Sequence, residues 1–114
     1  MSNTGTPWER RVRKMYERYG NYVVRSAGSK GACDLVCWDG ESVHIVQCKK
    51  EAKKGNYHED MERLRKVVVP SDCRWRKVMW IKRKYGKEDE MRIVKDVGFE
   101  SVMVPLERVL HGKD

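Results

Sequence analysis

Apolar residues recur at helical spacing in two stretches of this chain, and alternate with polar ones in most of the rest. Trp8, Val12, Met15, Tyr16 and Tyr19 fall at offsets of four, seven, eight and eleven, which predicts an amphipathic helix. Thr6-Pro7-Trp8-Glu9 supplies its start, with Thr6 at the N-cap, Pro7 at the first helical position and Glu9 reaching back as in a capping box. Gly20 ends it. The opposite face carries Arg10, Arg11, Arg13, Lys14, Glu17 and Arg18 and is solvated or faces phosphate.

Residues 21–26 then read as a strand and 27–31 as a Gly/Ser turn, and residues 32–38 and 42–49 read as the two strands of a hairpin. Residues 50–57 are polar, basic and interrupted by Gly55, which predicts a loop that orders on a ligand. Met61, Leu64, Val67 and Val68 return to helical spacing and predict a second helix over 58–69, stopped by Pro70. A turn over 71–73 precedes a strand over 75–82, with Val78, Trp80 and Lys82 on one face. A charged loop over 85–90, strands over 91–97 and 100–104 and a short helix over 105–110 complete the chain. Helix, three strands, helix, strand and a mixed tail predict an α/β fold, a central mixed sheet flanked by helices.

The hairpin carries an anomaly. Period two puts Ala32, Asp34, Val36 and Trp38 on one face of its first strand, and Val43, Ile45, Gln47 and Lys49 on one face of its second. With Asp39-Gly40 as the two-residue turn, Asp34 lies opposite Ile45 and diagonal to Gln47, so Asp34, Gln47 and Lys49 share a face that should be apolar.

Composition narrows the meaning of that face. A chain of 114 residues suits one domain, residues 1–114, with 1–5 as a loose tail. A formal charge of +8 favours anionic partners, nucleic acid before membrane. No run of about 18 apolar residues and no apolar signal core occur, which predicts an intracellular protein without a membrane partner. Cys33, Cys37, Cys48 and Cys73 lack CxxC spacing and read as buried free thiols. Compact motif spacing also fits a phage or viral source.

Phosphodiester hydrolysis uses a metal to position water and a cation to offset phosphate charge. Asp34, the Gln47 amide oxygen and the backbone carbonyl of Cys48 form an oxygen-rich set suited to Mg²⁺, with Lys49 beside it. Taken singly, each residue has a simpler role. Asp34 can end a turn, Lys49 can begin a basic loop, Glu9 can cap a helix, and Ser29 can form a turn. Tyr57 and Trp75 are candidates for exposed aromatics that stack on bases or pack a dimer, and Arg63, Arg65, Lys66, Arg74, Arg76 and Lys77 for a phosphate-tracking surface.

Glu9-Arg10 at a helix start, Gly20, Tyr22-Val23-Val24-Arg25, Ser29, Asp34 and Gln47-x-Lys49 together resemble the archaeal-type Holliday junction resolvases of the PD-(D/E)xK nuclease superfamily. The resemblance implies a restriction-endonuclease-like core and a homodimeric, Mg²⁺-dependent endonuclease, with Mn²⁺ as a substitute. Such an enzyme nicks four-way DNA junctions symmetrically and leaves 5′-phosphates. It implies Glu9, Asp34 and Gln47 as metal ligands with the Cys48 carbonyl, Lys49 as the catalytic lysine, and Ser29 acting near the scissile strand. It further implies DNA contacts from Arg10, Arg25, Lys30, Lys50, Lys53 and Lys54. Gln47 stands where the family usually has glutamate, and Ala32-Cys33 where a proline usually precedes the aspartate. Another nuclease of the superfamily and a non-catalytic nucleic-acid-binding module are the alternatives.

Overall fold

The computed structural model describes residues 7–26, 33–50, 57–69, 71, 73–83 and 88–106. Its elements are α1 (Pro7–Arg18), β1 (Tyr22–Arg25), β2 (Leu35–Trp38), β3 (Ser42–Lys50), α2 (His58–Arg65), β4 (Arg74–Lys82), β5 (Asp89–Val94) and β6 (Phe99–Val104). The strands form one sheet in the order β1-β2-β3-β4-β5-β6. β3 and β4 run parallel and the other neighbouring strands antiparallel, so the sheet is mixed, as predicted.

Each helix covers one face. α1 buries Trp8, Val12, Met15 and Tyr16 against Leu35, Cys37, Val46, Val78, Trp80 and Leu106. α2 buries Met61 and Leu64, with Tyr57 just before it, against Ile45, Met79, Ile81 and Val94. Val78-Met79-Trp80-Ile81 is therefore apolar without alternation, because β4 is covered on both sides. Trp8 ties α1 to this strand, its indole N–H donating to the Trp80 carbonyl at 3.1 Å.

Strand ends shift by one to three residues, β2 beginning at Leu35 instead of residue 32, and four further boundaries change what is buried. The first helix stops at Arg18, so Tyr19 is exposed instead of packed. Gly20, at φ 84°, donates to the Glu17 carbonyl in a left-handed C-terminal cap. The second helix stops at Arg65, and the Lys77 ammonium takes the carbonyls of Arg65 (2.6 Å) and Val67 (2.8 Å). Asp89 and Glu90 belong to β5 and are buried, not part of a charged loop. Glu90 pairs with Arg83 and Arg92 and accepts from Ser101, and Asp89 accepts the Arg83 backbone N–H at 2.9 Å. That strand ends at Val94, leaving Val97 almost fully exposed. Thr6 of the capping box, the tail over 1–5 and residues 107–110 of the terminal helix lie outside the described residues. All four cysteines are free thiols, but Cys73 is exposed where burial was expected. Burial pushes the Cys37 thiol up to about 12, with Glu17 adding to the shift.

A polar chain crosses the α1 side of the core. Trp80 Nε1 donates to the Tyr16 hydroxyl at 3.1 Å, and that hydroxyl shares a hydrogen bond with His44 Nδ1 at 2.8 Å. Burial, then the charge of Arg76, holds the His44 pKa below the ordinary value of 6.5, with Asp39 opposing. Because the folded pKa is depressed, the unfolded chain binds the proton first, and stability falls as pH drops below about 6.5. Between about pH 6.5 and 5, above the range of most carboxylates, the urea midpoint is expected to decline. His44→Gln should flatten that decline.

Candidate active site

The hairpin turn sits one residue later than expected. Trp38 pairs with Val43 and the Asp39 N–H reaches the Ser42 carbonyl, so Gly40 and Glu41 are the central residues. Gly40 adopts φ 97° at the first central position, where glycine is favoured, and the Asp39 carboxylate accepts the N–H groups of Glu41 and Ser42. The turn keeps two residues, so parity survives while the register moves by two. Asp34 is brought opposite Gln47 instead of Ile45.

Asp34 stands at a bend just before β2 and is not inside the strand. Its N–H donates to the Val46 carbonyl at 2.7 Å and its carbonyl accepts from Ser26 at 2.8 Å. Its carboxylate accepts the Cys48 N–H at 2.8 Å. The side chain is therefore held against the backbone between Gln47 and Lys49. Gln47 and Lys49, both half-buried, follow Ile45 on the α2 face of β3.

Each helix carries a carboxylate in its first turn, where a helix favours negative charge. Glu9 of α1 accepts from Arg25 Nε at 2.8 Å, and Asp60 of α2 lies 3.2 Å from the Lys49 ammonium. Burial, then the negative charges of Asp34 and Glu9, pushes the Cys48 thiol well up. Cys33 is raised by burial and by Asp34.

The side chains that the register brings together here, the Asp34 carboxylate and the Gln47 amide, offer oxygen donors, which suit a hard divalent cation such as Mg²⁺, Mn²⁺ or Ca²⁺. Among the described residues no three His, Cys, Asp or Glu side chains form a metal cluster. The set fits only with the Gln47 amide or a backbone carbonyl included.

Of the other expected residues, Arg10 is half-buried beside Glu9, and Lys50 is exposed at the end of β3. Arg25 is engaged by Glu9. Ser29, Lys30, Lys53 and Lys54 lie outside the described residues. Tyr57 is buried, not exposed, and its hydroxyl donates to the Lys50 carbonyl at 3.0 Å. Trp75 is half-buried against the α2-side core. Arg65 and Lys77 are structural: Arg65 holds Glu62 and the carbonyls of Lys95 and Gly98, and Lys77 caps α2. Asp60 escaped the sequence reading. Its only local signal is an acid in a helical first turn, which is common.

Three comparisons bear on this site. The family model described as archaeal Holliday junction resolvase (Hjc) matches residues 1–102. A Methanocaldococcus jannaschii protein, crossover junction endodeoxyribonuclease Hjc, is 40% identical over 62 residues, 53% of this chain and 46% of that protein. The chain thus matches about half the length of that curated relative. The structure of Archaeoglobus fulgidus Hjc, a Holliday junction resolvase from an archaeal hyperthermophile, superposes with a TM-score of 0.61 at 16% identity, over 93% of this chain and 99% of the other. None of the three supports a viral source.

Proposed function

Since the chain belongs to the archaeal Holliday junction resolvase family, we propose that it is one nuclease domain that resolves four-way DNA junctions by paired nicks. The observation that supports this reading is the Asp34 carboxylate held on the Cys48 N–H, between Gln47 and Lys49 near the end of β3. Two opposed nicks need two sites, so the acting form is a homodimer.

Mg²⁺, with Mn²⁺ as a substitute, would be held by Asp34, Glu9, the Gln47 amide and the Cys48 carbonyl. When bound, such an ion supplies an activated water and charge neutralisation at the phosphate. The chain's own residues do the rest. Asp34, fixed by the Cys48 N–H, keeps its carboxylate in place without rearrangement. The Lys49 ammonium offsets the charge that grows on the phosphate oxygens. The water oxygen bonds to phosphorus as the bond to the 3′ oxygen breaks; one proton ends on that oxygen and the other passes to solvent, leaving a 5′-phosphate and a 3′-hydroxyl. Arg10, Lys50 and, from segments outside the described residues, Lys30, Lys53 and Lys54 contact the backbone, with salt-sensitive affinity. Ser29 acts near the scissile strand.

The test is incubation with a four-way junction, a matching linear duplex and a single strand, with Mg²⁺ or with chelator. Paired nicks in the junction alone are expected. Cleavage of all three substrates would replace this reading with a general nuclease, and binding without Mg²⁺-dependent cleavage would leave a binding module.

Gln47 gives a sharper prediction. An amide holds a hard cation less tightly than a carboxylate. Gln47→Glu is expected to lower the Mg²⁺ concentration for half-maximal cleavage several-fold in a metal titration. Complete loss of cleavage would mean that the amide does something other than bind metal.

A further inference from the structure

Lys49 ends in a four-carbon stem whose ammonium has no fixed direction of its own. Gln47, two residues earlier on the same face, is neutral and offers no counter-charge. Among the described residues, the carboxylate that reaches Lys49 is on α2: Asp60 Oδ1 lies 3.2 Å from Nζ, with the Asp60 side chain 19% exposed and that of Lys49 32%. We propose that Asp60 is a positioning residue, which holds the Lys49 ammonium at the place from which it acts on the scissile phosphate.

The helix start that carries Asp60 is a rigid mount. Tyr57 is buried and its hydroxyl is tied to the carbonyl of Lys50, the neighbour of Lys49. One residue beyond Asp60, Met61 is buried and donates its N–H to the Tyr57 carbonyl at 2.9 Å, and Leu64 is fully buried one turn on. Strand and helix are thus fastened on both sides of the ion pair. Arg63 approaches the same Asp60 oxygen at 3.6 Å from an exposed position and is the looser partner.

A partly exposed ion pair adds little to stability. Its value here is direction: a preorganised ammonium needs no reorganisation when charge develops on the phosphate. Removing Asp60 should therefore lower cleavage without weakening DNA binding or the fold. Losing one negative charge beside a DNA-binding surface favours binding if it changes it at all.

This inference rests on the nuclease reading, and the experiment separates the two. Asp60→Asn, Asp60→Glu and Glu59→Gln would be compared with the wild type on whichever DNA the wild type cuts. Glu59→Gln removes the same charge from the same exposed helix start without touching Lys49. Single-turnover cleavage, DNA affinity in chelator and the urea midpoint would be measured for each. Asp60→Asn is expected to slow cleavage at least about tenfold with affinity equal or tighter and the urea midpoint little changed, since the pair is partly exposed. Asp60→Glu should recover most of the rate, and Glu59→Gln should stay near wild type.

Asp60→Asn cleavage within twofold of wild type would overturn the proposal. So would an equal loss in Glu59→Gln, or a joint fall in rate, affinity and midpoint. A crystal structure of the Asp60→Asn protein reads positioning without activity, and an unmoved, ordered Lys49 ammonium would also overturn it. Failure of the wild type to cut any DNA would refute the nuclease reading instead, while that crystal structure would still report on the ion pair.

Discussion

Replacing Lys49 by alanine is expected to reduce cleavage by roughly 10²–10³-fold, the usual consequence of deleting one preorganised charge stabiliser from a reaction centre. The fold should hardly notice. Lys49 is half-buried near the end of β3, its backbone remains paired with Ile81 of β4, and its ammonium contributes a partly exposed ion pair. Junction affinity should fall only modestly, since one cation among many is lost. Single-turnover cleavage and junction binding in chelator, measured side by side, check this. A variant that still cuts within tenfold of wild type would remove Lys49 from the reaction.

Asp34 is expected to matter as much, and its two replacements should part company. Asp34→Asn keeps an oxygen that can accept the Cys48 N–H but loses the negative charge. The fold should persist while cleavage drops at least about a hundredfold, the scale of several kcal/mol of lost charge stabilisation. Asp34→Ala removes the acceptor as well and leaves a partly buried N–H without its partner, which costs about 1–3 kcal/mol. The alanine variant should therefore show a lower urea midpoint as well as lost cleavage. Equal midpoints for the two variants would mean that the 2.8 Å contact with Cys48 contributes nothing to stability.

The shared face of Asp34, Gln47 and Lys49 was legible in the sequence because strand parity tolerates an error in the turn. The hairpin turn is centred on Gly40-Glu41 and not on Asp39-Gly40, yet a two-residue turn that slides by one shifts the register by two. Gln47 and Lys49 consequently keep the predicted face. The first helix was equally legible, since Trp8, Val12, Met15 and Tyr16 leave little choice of buried side.

What stayed hidden depends on contacts between distant segments. Asp89 and Glu90 look like loop residues until Arg83, Arg92 and Ser101 are placed around them. Tyr57 looks exposed in a polar stretch until the start of α2 is laid on the sheet. Lys77 looks like surface charge until its ammonium is found on the carbonyls of Arg65, the last residue of α2, and Val67 just beyond it. Asp60 could be assigned only once α2 was known to begin beside Lys49.

The parallel pairing of β3 and β4 has a consequence for how the molecule is assembled. β1 to β3 and β4 to β6 are each runs of antiparallel neighbours that need only short-range closure. Joining the two runs requires the long connection that contains α2. A chain folded only through β3 already holds Asp34 and Gln47 on its hairpin, but its Lys49 ammonium has no Asp60 beside it. The pairing that makes one sheet out of two half-sheets is therefore also the one that brings Asp60 to Lys49.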